Sequence, residues 1–92
     1  MFTVIAYDIV DDRKRYRVAQ DLREYSLRVQ KSVFEAPHLV AQDLQRLRRR
    51  IESRIDLRVD KVRYYSLCAA CRARVQVAGP GAVTEHEEYK II

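Results

Sequence analysis

Between residues 2 and 67 the hydrophobic pattern keeps switching between a period of two and a period of 3.6, and that alternation limits the folds open to the chain. Phe2, Val4 and Ala6 interleave with Thr3, Ile5 and Tyr7, nearly all of them apolar. This is the pattern of a central strand covered on at least one face. Residues 13–25 then place Val18, Ala19, Leu22 and Tyr25 at helical spacing, with Arg13, Arg17, Gln20, Asp21 and Glu24 mainly opposite. That predicts an amphipathic helix laid on a sheet, with Asp11 or Asp12 as its N-cap. Over 28–36 the period returns to two: Val29, Lys31, Val33 and Glu35 alternate with Gln30, Ser32, Phe34 and Ala36. The segment reads as one bent strand or as two short strands turning near Lys31-Ser32.

Pro37-His38 ends that segment, and Val40, Leu44, Leu47, Ile51 and Ile55 then follow the helical period closely over 39–55. A loop over 56–60 leads into a Val- and Tyr-rich strand over 61–67, with Val62, Tyr64 and Tyr65. Arg74-Val75-Gln76-Val77 alternates as a further short strand before Gly79-Pro80-Gly81 breaks the chain. The order predicts an α+β, ferredoxin-like βαββαβ domain over 1–78, with an additional C-terminal strand and two helices on one face of an antiparallel sheet. The other face needs cover, and a homodimer through the sheets would supply it. The tail, 79–92, ends in Tyr89-Lys90-Ile91-Ile92, apolar enough to dock on a neighbouring subunit.

A chain of 92 residues has room for one domain, and its 48% hydrophobic and 34% charged residues exclude both disorder and a loop-rich disulfide scaffold. No apolar run approaches the ~20 residues of a membrane span, and Met1-Phe2-Thr3-Val4 lacks the charged start of a secretion signal. A cytoplasmic protein is expected. The net charge of +5, dominated by Arg, favours a phosphate-bearing partner such as nucleic acid. The only cysteines, Cys68 and Cys71, are too few for a structural zinc. They are inert or half-buried thiols at a strand end, a labile redox pair, or an adventitious metal site.

Asp8 is the residue with the most chemistry in it. It closes the first strand, just ahead of a helix opening on Arg13, Lys14, Arg15 and Arg17. Mg²⁺ is often held by only one or two carboxylates together with waters and phosphate oxygens. Two Asp8 side chains meeting across a dyad would suffice. The alternative is structural: Asp8 as an Asx residue accepting backbone N–H bonds in the strand-to-helix turn. Arg15 and Arg17 sit at a helix start, where cations oppose the dipole, so reaching for a phosphate gives them a reason to be there. Tyr7 and Phe34 are each core residues or site residues, and Phe34 could stack on a base.

Three segments carry a resemblance: Tyr7-Asp8-Ile9-Val10-Asp11-Asp12-Arg13, Arg28-Val29-Gln30-Lys31-Ser32-Val33-Phe34-Glu35, and Asp60-Lys61-Val62-Arg63-Tyr64-Tyr65-Ser66-Leu67-Cys68. In this order and spacing they resemble the Cas2 family, small CRISPR-associated proteins of spacer acquisition, from Met1 to about Gly79. The resemblance implies a ferredoxin-like homodimer with Mg²⁺ or Mn²⁺ between the two Asp8 residues, and endonuclease cleavage of RNA or DNA. It assigns catalytic roles to Asp8 and Tyr7 and nucleic-acid contacts to Arg15, Arg17, Arg28 and Phe34. It also implies a complex with the Cas1 integrase around duplex DNA, with single-stranded RNA as a further substrate. A non-catalytic DNA scaffold and a related toxin ribonuclease are the competing functions. One departure is visible: many members have Gly after the first helix, where this chain has Tyr25-Ser26.

Overall fold

The computed structural model describes residues 1–84. Its elements run β1 (Phe2–Asp8), α1 (Asp12–Arg23), β2 (Leu27–Gln30), β3 (Val33–Ala36), α2 (Ala41–Arg54), β4 (Lys61–Leu67) and a single-turn α3 (Ala69–Arg72). The sheet order is β2-β3-β1-β4 and every pairing is antiparallel. Each long helix therefore joins two strands that have a third between them, which is the ferredoxin-like arrangement expected. Residues 28–36 resolve into the hairpin, with an irregularity in register between Arg28 and Gln30. Among the described residues no helix is long and apolar enough to cross a membrane.

Strand alternation decides which β1 side chains meet the helices. Ile5 lies opposite Phe34 on one side and Tyr64 on the other, and Tyr7 opposite Val62. These residues pack against Val18 and Leu22 of α1 and Leu47 and Ile51 of α2, all buried. Burying each large aliphatic or aromatic side chain is worth ~1.5–3 kcal/mol, so this layer holds the helices on the sheet. A polar clamp joins the helices too: the Arg54 Nε donates to buried Asp21 at 2.5 Å, and Arg50 pairs with Glu24 at 2.9 Å.

The helix ends are settled locally. Asp11 is the N-cap of α1, its side chain accepting from the Lys14 N–H at 2.9 Å. At the other end the Ser26 hydroxyl donates to the Leu22 carbonyl at 2.5 Å, and among the described residues no non-glycine residue has a positive φ. The helix thus terminates without the left-handed residue a glycine would provide, and the departure at Tyr25-Ser26 needs no strained backbone.

The expectation of a strand over 74–77 is corrected. After β4 the chain winds instead: Ala73 N–H bonds to Ala69 O, Arg74 N–H to Cys71 O and Val75 N–H to Arg72 O. Donors that a ladder would need are used in turns, and the segment beyond α3 is irregular. Gly79 and Gly81, at φ of 94° and 105°, then reverse the chain in a region that side chains rarely adopt. It returns over the sheet face away from the helices, where the buried Thr84 donates its N–H to the Glu35 carboxylate at 2.9 Å. Docking of Tyr89–Ile92 lies outside the described residues.

Candidate active site

The turn that carries the chain from β1 to α1 is held from outside itself. Asp60, buried at the end of the α2–β4 loop, accepts the Val10 N–H at 3.1 Å on one oxygen and the Asp56 N–H at 2.8 Å on the other. Arg15 holds the same turn from the helix side, its Nη1 donating to the Ile9 carbonyl at 2.8 Å while Nη2 contacts Asp12. Asp11 is spent as the cap. Asp56 receives Arg58 through both side chain and backbone, and those bonds hold its carboxyl below the usual range. The Val10 N–H, the Ile9 carbonyl and the Lys14 N–H are thus served by Asp60, Arg15 and Asp11.

Asp8 takes no part in this. It is exposed at the last position of β1, and among the described residues its carboxylate accepts no hydrogen bond and forms no ion pair. Asp60 occupies the Asx-like role in the turn that the sequence left open to Asp8. Asp8 lies across from Lys61 in register, and alternation points it to the face of the sheet away from the helices, alongside Val4 and Ala6.

The other sequence candidates divide sharply. Tyr7 is buried, points to the helix face, and stacks on Phe34 with ring centroids 6.2 Å apart. Neighbours in sequence, Tyr7 and Asp8 are on opposite faces of the sheet. Phe34 is fully buried in the core, so the expectation that it stacks on a base is corrected: no part of its ring is open to one. Arg28 is exposed, but its guanidinium is engaged with the Lys31 carbonyl of the hairpin turn and sits 5.9 Å from the Phe34 ring centroid. Arg15 is half-buried and committed to the Ile9 carbonyl. Arg17 is exposed on α1 and makes no hydrogen bond or ion pair among the described residues. Of the expected phosphate ligands, Arg17 alone has its donors free.

A single chain offers a divalent ion little. Among the described residues no three His, Cys, Asp or Glu side chains are grouped to hold a metal. One uncommitted carboxylate still fits the oxygen-rich, water-retaining coordination of Mg²⁺, provided a phosphate or a second carboxylate joins it. The face that Asp8 shares is also the one left without helices. Leu27 and Tyr65 are more than two-fifths exposed there, and Val4, Ala6 and Val33 are half-buried.

Asp60 is the positioning residue whose role sequence reasoning does not reveal: it opens one of the family-like segments and directly precedes a strand, but the turn it serves lies fifty residues away.

The sequence model described as CRISPR associated protein Cas2 matches residues 1–75. The chain is 43% identical over 92 residues to the CRISPR-associated endoribonuclease Cas2 3 of Chloroflexus aurantiacus, covering 100% of this chain and 98% of that one. A solved hypothetical protein of Thermus thermophilus superposes with a TM-score of 0.80 at 39% identity, covering 91% of this chain and 96% of that one. Cas2 of Streptococcus pyogenes does so with a TM-score of 0.76 at 27% identity, covering 86% and 100%.

Proposed function

This chain belongs to the CRISPR-associated Cas2 family, and from that premise we propose that it is a divalent-metal-dependent endonuclease of spacer acquisition which also carries duplex DNA. The observation that carries the reading is the free carboxylate of Asp8, exposed while Asp60, Arg15 and Asp11 make the side-chain bonds that hold its turn. A second copy packed on the open sheet face would bring a second Asp8 towards the first and cover Leu27, Val33 and Tyr65. The pair would hold Mg²⁺ or Mn²⁺, which when bound polarises a phosphoryl oxygen and lowers the pKa of a coordinated water.

The remaining roles fall to the chain itself. Arg17 offers free donors to a non-bridging phosphate oxygen, as a guanidinium fork does well. Arg15 and Asp60 are positioning residues: they fix the turn and through it the end of β1. Tyr7 and Phe34 brace that strand from beneath by stacking. Exposed Arg13, Arg23, Arg46 and Arg49 on the outer sides of α1 and α2 provide a sequence-independent grip on duplex backbone. The protein would act in the cytoplasm, with the Cas1 integrase as the partner of its dimer.

A second reading is favoured by the same economy. With one carboxylate per chain and many exposed arginines, the dimer serves as a DNA scaffold whether or not it cuts. Purified protein with Mg²⁺ or Mn²⁺ is expected to cleave RNA or DNA, and Asp8→Asn to abolish cleavage while leaving duplex binding intact. Absence of cleavage with either ion across a pH range sinks the nuclease reading. Duplex affinity that falls steeply with added salt then supports the scaffold, and a flat salt response rejects it.

A further inference from the structure

We infer that Cys68 and Cys71 form a redox-active dithiol that exchanges with low-molecular-weight disulfides. Cys68 is the last residue before α3, directly after β4, and Cys71 lies three residues on, within that helix's single turn. An N-cap side chain and the third residue of the helix it opens lie together at the helix start. Both thiols are free and exposed, so a small reagent reaches either without opening the fold. Cys68 stands at the N-cap of that turn and Cys71 inside it, so the two thiols are neighbours at one helix start.

Their places at the helix start make the two sulfurs unequal. Neighbouring Cys71, through its backbone first and then its thiol, holds the Cys68 thiol below its usual range, while the proximity of Cys68 raises Cys71. An attacking sulfur with more thiolate beside a resolving sulfur with less is the arrangement in which exchange runs in a fixed order. Metal binding is a poor rival, because no third His, Cys, Asp or Glu groups with the pair among the described residues.

The chemistry balances with the disulfide as oxidant. The Cys68 thiolate attacks one sulfur of the reagent, forming a mixed disulfide and expelling one reagent thiolate. The Cys71 thiol then loses its proton to solvent and attacks Cys68 Sγ, closing Cys68–Cys71 and expelling the second reagent thiolate. The pair is oxidised by two electrons and the reagent is reduced by the same two. The site lies at the root of the C-terminal segment: the next residue, Arg72, stacks over Phe2 at 5.0 Å and donates to the Thr84 carbonyl at 2.5 Å. Closing the ring therefore acts on the turn that directs this segment across the sheet.

The probe is oxidised glutathione, added to the reduced native protein and followed by alkylation and intact-mass measurement. The wild type is expected to lose the mass of two hydrogens and both alkylation sites, retaining no glutathione. Cys71→Ser should stop at one glutathione per chain, mapped to Cys68. Cys68→Ser should react about tenfold more slowly, having lost the more ionised sulfur. Both positions are exposed, and unchanged far-ultraviolet circular dichroism will show that each variant folds. Wild type that keeps glutathione bound, stays reduced, or forms only chain-to-chain disulfides overturns the inference, as does a Cys68→Ser variant as fast as wild type. None of these outcomes depends on cleavage activity.

Discussion

Two aspartates stand at the two sides of one turn, and the fold treats them in opposite ways. Asp60 is buried, and both of its oxygens are occupied by backbone N–H groups from different loops. Asp8 is exposed and serves no donor among the described residues. A carboxylate that satisfies buried amides is worth keeping for stability alone. One that a folded chain holds at a strand end without using it has no such reason, and ligand binding supplies one. The contrast separates a carboxylate the architecture uses from one left open to the proposed metal.

The comparison is broken most directly by exchanging the losses. Asp8→Asn is expected to reduce metal-dependent cleavage at least about 100-fold, equivalent to ~2.7 kcal/mol of barrier. Its stability should stay within ~0.5 kcal/mol of wild type, as for surface changes that remove no contact. Asp60→Ala should do the reverse in stability, costing ~2–3 kcal/mol by stranding two backbone donors, read as a lower midpoint in urea. Asp60→Asn is the sharper variant. It keeps the shape but turns an NH₂ group toward one of the two donors, so a loss of ~1 kcal/mol is expected. If Asp8→Asn unfolds the protein, or Asp60→Ala does not destabilise it, the division of labour is wrong.

The same contrast recurs between two arginines two residues apart. Arg17→Ala should weaken duplex binding and reduce the salt slope by about one, as for the loss of one phosphate contact, with no change in stability. Arg15→Ala should cost ~1 kcal/mol of stability through the lost bond to the Ile9 carbonyl. An Arg15 variant of wild-type stability that binds nucleic acid poorly would reverse the assignments.

What could be read from sequence follows from the distance over which each signal acts. Periodicity and local breakers placed β1, both long helices and β4 to within a few residues, because burial imposes period two or 3.6 on contiguous residues. The helix ends were nearly as legible, Asp11 being one of the two caps named. The segment 74–77 alternates like a strand, yet it follows a turn that takes its N–H groups, and alternation alone carries no record of that. Asp8 stood out as a carboxylate at a strand mouth, but its freedom depends on Asp60 fifty residues away. Sequence leaves Tyr7 and Phe34 between a core and a site role, and their burial decides for the core. Their burial comes from stacking on each other beneath the helices.

A smaller effect sharpens the contrast from the side of the core. Tyr64 lies opposite Ile5 on the helix face, and its hydroxyl is buried without a hydrogen-bond partner among the described residues. The Arg48 guanidinium sits 5.3 Å from its ring centroid. Burial first, then Glu52, pushes the Tyr64 phenol up to about 12, with Arg48 opposing. In the unfolded chain the phenol ionises near its ordinary value of about 10. Between about 10 and about 12 the unfolded state therefore sheds a proton that the folded state keeps, and stability falls with rising pH through that window. Below about 10 this contribution is constant. Tyr64→Phe should remove Tyr64's share of the alkaline slope in urea melts. At neutral pH it should change stability by less than ~1 kcal/mol, in the stabilising direction if at all, since it deletes an unpaired buried hydroxyl while keeping the ring. A loss larger than that would mean the hydroxyl is held by something in the assembled protein. Tyr64 would then belong with Asp60, as a polar group the architecture uses.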